Sequence, residues 1–269
     1  MTTSHGSRIC KRDRIRVIHG TPIFNILQDI AVSSPKKTKT FNKIIMGLPH
    51  VEHHRLLESL EQVDLPLCSV ISNPGQMLAY VYFPLSGLVS LSISARTEKP
   101  VETSQIGVEG MIGATLSLGV QTTPLLAIVH EEGIALRADA SIFQHELMQM
   151  PVLHNRINHY LYVQMTQLAR TVSCIHFHEI ELRLAKRLLM SHDRSHTDYF
   201  SLTHQVLADM LGVQRSAVSI AAASLQQKNI IHYSRGTIHV LSRTGLEAAS
   251  CACYRTSILD YQQQLGSGH

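Results

Sequence analysis

At 269 residues with 44% hydrophobic content, the chain can bury a sizeable core and fits two modest domains better than one, which excludes a disordered protein. The formal net charge of +4 hides an uneven distribution. Met1 to Lys43 holds nine basic and two acidic residues, 44–177 holds six and eleven, and 178–269 holds nine and seven. Any surface for an acidic partner within the folded part therefore belongs in the last third, on a basic footprint weak enough to need reinforcement by dimerisation.

Residues 1–43 read as a basic, flexible extension, with Arg8, Lys11, Arg12, Arg14 and Arg16 followed by Pro35-Lys36-Lys37-Thr38-Lys39. An arm adding non-specific attraction to DNA, a targeting segment, and translated sequence ahead of the true start are the competing readings. A secretory signal is not expected, because Ile23 to Ile30 is short and broken by Asn25, Gln28 and Asp29. Ile44 and Ile45 open the first helix of the folded unit, which argues against Met46 as a start. The five cysteines, Cys10, Cys68, Cys174, Cys251 and Cys253, are scattered and odd in number, as in reduced thiols of the cytosol.

Residues 44–150 should form a small β-roll or jelly roll. Asn73-Pro74-Gly75 and Leu85-Ser86-Gly87 are turns; Val89, Leu91 and Ile93 alternate with serines, and Leu125, Ala127 and Val129 alternate again. The uncharged stretch after Gly110 contains Thr115, Ser117, Gln121 and Pro124, so it is sheet and loop, not a membrane span. A short helix over Ser141 to Met150 should stop at Pro151.

Residues 151–177 form a long helix. Leu161, Met165, Leu168, Val172 and Ile175 recur at steps of four and three, the spacing of a two-stranded coiled coil, and are expected to be a dimer interface. A second stripe, Leu153, Ile157 and Tyr160, can pack on the roll.

Residues 178–269 carry the most specific pattern. Thr203 can cap a helix through Met210, Gly212 and Val213 make a turn, and a second helix keeps Val218, Ala221, Ala222 and Leu225 on one side. Its other side presents Arg215, Ser216 and Ser219. Ile230, Ile231 and Tyr233 then alternate into a turn at Arg235-Gly236, from which Ile238 and Val240 return as a hairpin. This is a winged helix-turn-helix in outline. In such a unit the second helix enters the major groove, where an Arg can take guanine O6 and N7 together. Arg215, Ser216 and Ser219 are the expected base readers. Thr203, His204, Gln205, Gln214 and Arg235 are the expected phosphate contacts.

The run LTHQVLADMLGVQRSAVSIAAASLQQKNIIHYSRGTIHVL resembles the C-terminal domain of the Crp/Fnr family of bacterial transcription regulators. The likeness continues upstream through HEIELRLAKRLLMSHDR and, more diffusely, through YFPLSGLVSL and IGVEGMIG. It implies an α+β architecture of β-roll sensor, long dimerisation helix and C-terminal winged helix-turn-helix. It also implies a cytoplasmic homodimer acting on inverted-repeat operators in double-stranded DNA, with RNA polymerase as a partner if it activates, no enzyme activity and no membrane. The family's cyclic-nucleotide site uses a Glu on the ribose and an Arg with Ser or Thr on the phosphate. Here Ala114 falls at the Glu position and the loop Leu118 to Pro124 has no Arg, so cyclic AMP is not expected and the effector is unknown. The family's oxygen sensors carry an N-terminal cysteine cluster, which is absent. Where the cyclic-AMP receptor protein places a second base-reading Arg, this chain has Ile220, which the resemblance makes a further base reader, through an apolar contact such as a thymine methyl.

No cofactor or metal site is expected. In Cys174-x-His176-x-His178 alternate residues should not converge; Cys251 and Cys253, two apart in the expected final helix, should point to different sides; and His50, His53 and His54 lack a further ligand. The alternative from another class is a ligand-binding or metal-dependent, cupin-like β-roll enzyme with a degenerate helical tail. It suffers because those histidines lie on helices or loops, and no phosphate-binding glycine loop or nucleophile elbow is present.

Overall fold

The computed structural model describes residues 42–94, 100–195 and 197–266; the basic extension, apart from Asn42 and Lys43, lies outside them. Helices α1 (Lys43–Met46) and α2 (His50–Glu58) come first. Asn42 fixes the first of them: its side-chain oxygen accepts the Ile44 N–H, and its amide donates to the Pro84 and Gly110 carbonyls. Ile44 and Ile45 are buried, as their place in a first helix requires.

Seven strands follow: β1 (Glu61–Leu65), β2 (Val70–Ser72), β3 (Tyr80–Pro84), β4 (Leu88–Ile93), β5 (Val101–Ile106), β6 (Leu126–Glu131) and β7 (Gly133–Asp139). They form two antiparallel sheets, ordered β1-β7-β3 and β2-β6-β4-β5, which close over Leu65, Tyr82, Val89, Ile106 and Val129. This is the expected roll. Its β3–β4 turn needs a glycine: Gly87 has φ +81, and a Cβ there would sit 2.7 Å from the Glu131 carbonyl oxygen.

Pro151 does not stop the preceding helix as expected. Helix α3 (Ala140–Leu147) ends three residues before Met150, and Pro151 instead occupies the first turn of α4 (Pro151–Phe177), where its missing N–H costs nothing. The freed amides of Val152 and Leu153 donate to the buried Glu52 carboxylate of α2 at 3.0 and 2.8 Å. A carboxylate at a helix N-terminus is favourable to both the orphan amides and the helix dipole. Along α4, Leu153, Ile157, Tyr160, Val163, Gln167 and Cys174 turn inward.

The last third has its own core. Helices α5 (Ile180–Ser195), α6 (His204–Leu211) and α7 (Arg215–Gln227) pack Leu184, Leu188, Leu207, Val218 and Leu225 together with Ile231 and Ile238. The wing has three strands, not two: β10 (Thr237–Val240) pairs with β9 (Ile231–Ser234) on one edge and with β8 (Tyr199–Phe200) on the other. Two residues of pairing gave no periodicity to read. Helices α8 (Arg243–Ala249) and α9 (Cys253–Leu265) complete the chain, and α9 returns to α4, where Arg156 donates to the Leu265 carbonyl and Arg170 pairs with Asp260. The expected single final helix is thus broken at Ser250–Ala252. No single described helix is long and apolar enough to cross a membrane.

Candidate nucleic-acid interface

Helices α6 and α7 meet at 110° across a turn whose pivot is Gly212, φ +65. The left-handed backbone closes α6 by donating to the Ala208 carbonyl, and Val213 N–H donates to the same oxygen at 3.0 Å. Thr203 caps α6 by accepting the Val206 N–H through its hydroxyl. Gln214 is the N-cap residue of α7 without a side-chain cap bond, and its side chain is exposed. Val218, Ala221, Ala222 and Leu225 are buried, which leaves Arg215, Ser216 and Ile220 outward. Ile220 is 73% exposed, on the side of α7 opposite its buried face. In the wing, Arg235 (φ +49) and Gly236 (φ +85) form the two-residue turn between Ser234 and Thr237. Two successive positive φ values are those of a type I′ hairpin turn, and Arg235 projects from its tip.

His204 and Ser219 are placed differently. The His204 ring stacks on Tyr233 with centroids 4.0 Å apart, and its Nδ1 lies 2.8 Å from the Ser219 hydroxyl. Ser219 also donates to the Arg215 carbonyl, so its hydroxyl is engaged within the motif. Burial, then the nearby Arg215 charge, lower the His204 pKa, which keeps the ring neutral. His204 therefore joins α6, α7 and the wing through its ring. Gln205 is tied to Asp209 at 3.0 Å. Periodicity put both residues near the surface; only the packed motif reveals their partners.

Most cations of this region are already spent. Lys228 pairs with Glu181, Arg243 with Asp193 and Glu247, Arg187 with Glu102, and Arg194 with Glu109, while Arg183 donates to the Leu211 carbonyl and Lys186 is buried. Among the described residues from 178 onward, Arg215, Arg235 and Arg255 are the exposed arginines and lysines without a side-chain ion pair. Two of these three are on α7 and at the tip of the wing.

Residues 182–249 match the family model of the Crp-like helix-turn-helix domain. The chain carries a Crp-like helix-turn-helix domain on a Crp/Fnr fold. Similar solved structures include a putative Crp/Fnr transcriptional regulator from Eubacterium rectale, at 16% identity and TM-score 0.59, covering 75% of this chain and 94% of that one. FixK2 from Bradyrhizobium japonicum gives 13% identity and TM-score 0.59 over 72% and 98% of the two chains. A CooA mutant from Carboxydothermus hydrogenoformans gives 16% and 0.56 over 78% and 96%. No curated protein matches by sequence. The matched domain ends at Ala249, before α9, so the helix that folds back on α4 lies outside it.

In the Crp/Fnr-type roll, Ala114 opens a 3-10 turn, Ala114–Leu118, and is buried. Gln121 of the following loop bonds to Gln144. Arg137 is taken up by Glu61 at 2.5 Å and lies 4.2 Å from the centroid of the Tyr80 ring; Arg96 and Lys99, other cations that could serve the roll, lie outside the described residues. A cavity against β2 and Ile112 has about 20 Å³, whereas small-molecule sites run to roughly 300 Å³ or more. A cleft of about 510 Å³ lies elsewhere, between α1, α4, α5 and α9, beside Arg156, Arg194 and Tyr261.

The junction of α4 with α8 and α9 contradicts the sequence-based geometry. Cys174 and His178 stand one helical turn apart and share a face, while Cys251 lies in the break between α8 and α9 and Cys253 begins α9. The two cysteines of the pair thus do not sit on one helix, and both approach the end of α4. His176 points away and is exposed. Exact helix breaks are poorly encoded in local sequence, and this one decides which thiols meet.

Proposed function

We propose that this Crp/Fnr-type transcription regulator acts as a homodimer that places its two α7 helices in successive major grooves of an inverted-repeat site in the cytoplasm. The observation that carries the reading is the coincidence of two unpartnered surfaces. On α4, Met165, Leu168, Val172 and Ile175 are 42–61% exposed, with Leu161 partly covered, so an apolar seam runs down the face opposite the roll. On α7, Arg215, Ser216 and Ile220 form the exposed face. A coiled-coil seam of α4 with its copy would bury the first surface and present two copies of the second. Half-sites about one helical turn apart are expected, and selection of bound sites from random duplexes tests this directly: a consensus without two-fold symmetry would refute it. No observation favours the enzyme alternative.

Arg215 and Arg235 should respond differently to removal. Arg215→Ala is expected to cost about 1–3 kcal/mol per half-site and relax preference at one base pair, whereas Arg235→Ala should weaken all duplexes alike. Arg235→Ala should also flatten the slope of log K against log salt by about 0.9 per protomer. Equal losses on every sequence for Arg215→Ala would make it a phosphate contact. Ile220 supplies an apolar surface of the kind that meets a thymine methyl.

Cyclic AMP is expected neither to bind tightly nor to alter DNA affinity. With Ala114 in place of a carboxylate and no Arg in the Leu118 to Pro124 loop, the loss of charge-assisted contacts is on the order of 2–5 kcal/mol, or about thirty-fold to several thousand-fold in affinity. Calorimetry giving a micromolar dissociation constant for cyclic AMP would overturn this.

A further inference from the structure

We propose that Cys174, His178, Cys251 and Cys253 form a four-coordinate site for a thiophilic divalent cation, zinc by its chemistry, that fastens the α8–α9 junction to the end of α4. All four potential ligand atoms lie within 4.8 Å of one another. Cys174 Sγ is 3.3 Å from Cys251 Sγ and 3.4 Å from His178 Nδ1, which is 3.7 Å from Cys253 Sγ. With zinc bonds of about 2.3 Å to sulfur and 2.0–2.1 Å to nitrogen, the edges of a regular tetrahedron are about 3.5–3.8 Å. The three separations lie within a few tenths of an ångström of those edges, and the remaining ones are no longer than 4.8 Å, so a cation needs only small side-chain adjustments. The Cys174 and Cys251 sulfurs are too far apart for a bond, and all three thiols are free.

The surroundings suit a closed structural site. Cys174 and Cys251 are buried, while Cys253 and His178 are partly so. Three thiolates and an imidazole select a soft, tetrahedral cation and leave no open position for chemistry. Their excess negative charge is opposed by the buried Lys186 ammonium, which acts on both Cys174 and Cys251. Backbone geometry presents the ligands independently of any ion: the His178 N–H donates to the Cys174 carbonyl at 3.1 Å, and the Tyr254 N–H to that of Cys251 at 3.0 Å. The site lies where α4 hands over to α5 and where the chain leaves the matched helix-turn-helix domain. Bound metal would hold the N-terminal end of α9 against α4, complementing the Arg170–Asp260 pair and the Arg156 bond to Leu265 further along.

The test uses the full chain, purified reduced and then stripped with a chelator. Zinc added back should bind at one equivalent per chain, and cobalt(II) should give the intense visible bands of a tetrahedral thiolate complex. Competition with a chromophoric chelator should show Cys253→Ser weakening zinc by more than about a hundredfold, beyond the 10–100-fold typical of outer-shell changes. His176→Ala should leave zinc affinity unchanged. Circular dichroism of Cys253→Ser keeps the comparison to folded protein, and the wild-type cobalt spectrum stands without any variant. Absence of thiolate-bound cobalt in the reduced wild-type chain would overturn the proposal. So would cobalt bands that persist unchanged in Cys253→Ser, or a chain that yields only a Cys174–Cys251 disulfide under oxidant and binds no metal when reduced.

Discussion

Leu168→Glu should convert the proposed α4-mediated dimer to monomers, raising its dissociation constant by about two to four orders of magnitude. Leu168 sits at the middle of the exposed α4 stripe, between Met165 and Val172, and is 42% exposed in the single chain. A carboxylate can therefore be solvated in the monomer, so circular dichroism and the roll core should be unaffected. In the seam, the same carboxylate would face its own copy and apolar neighbours, and an unpaired ion buried there costs about 3–5 kcal/mol. DNA affinity should fall with it, because each half-site then binds alone. Light scattering or sedimentation at micromolar protein checks the outcome: an intact Leu168→Glu dimer would assign the interface elsewhere.

The second large effect is expected at the joint between the two domains. Arg194 near the end of α5 donates through Nε to Glu109 at 2.7 Å, with both side chains at least nine-tenths buried. Glu109 also accepts the Gly107 N–H, and Arg194 donates to the Met190 carbonyl. Burial opposes the Arg194 charge, but the attraction and hydrogen bond of Glu109, together with the Tyr261 and Tyr160 hydroxyls, outweigh it and raise the guanidinium pKa. Arg194→Met leaves a carboxylate in that setting without its cation and should lower unfolding stability by about 3–5 kcal/mol. Adding Glu109→Leu should recover most of the loss, because the desolvation penalty of both charges disappears together. Chemical denaturation followed by circular dichroism measures both. A single variant as stable as wild type would show that Glu109 finds water or another partner, and a double variant no better than the single would make the loss one of packing.

The helix-turn-helix was legible because its signals are local. Thr203 as a cap, Gly212 as a left-handed pivot, the i, i+3, i+4, i+7 spacing of Val218, Ala221, Ala222 and Leu225, and the Arg235-Gly236 turn each report a backbone requirement within a few residues. The same holds for α4, whose two apolar stripes separate into one buried face and one exposed face as the heptad spacing requires. Strand alternation carried the roll at the level of architecture. Pairing order and register depend on contacts between distant segments, and the two-residue strand β8 has no local signature.

What the sequence by itself determined, then, is the periodic part: roll, long helix, helix-turn-helix, and the outward face with Arg215 and Ile220. Tertiary structure decided everything that depends on which side chains are already spoken for. It turned His204 onto Tyr233 and Ser219, and it spent Arg187 and Arg194 on carboxylates of the roll. It also brought Cys251 and Cys253, 77 and 75 residues from their partners Cys174 and His178, to the end of α4. A periodic pattern records which face of an element is apolar. The meeting of four potential ligand atoms from the end of α4 and the α8–α9 junction is set by a helix break and by the packing of α9 on α4, and neither leaves a repeat in the chain.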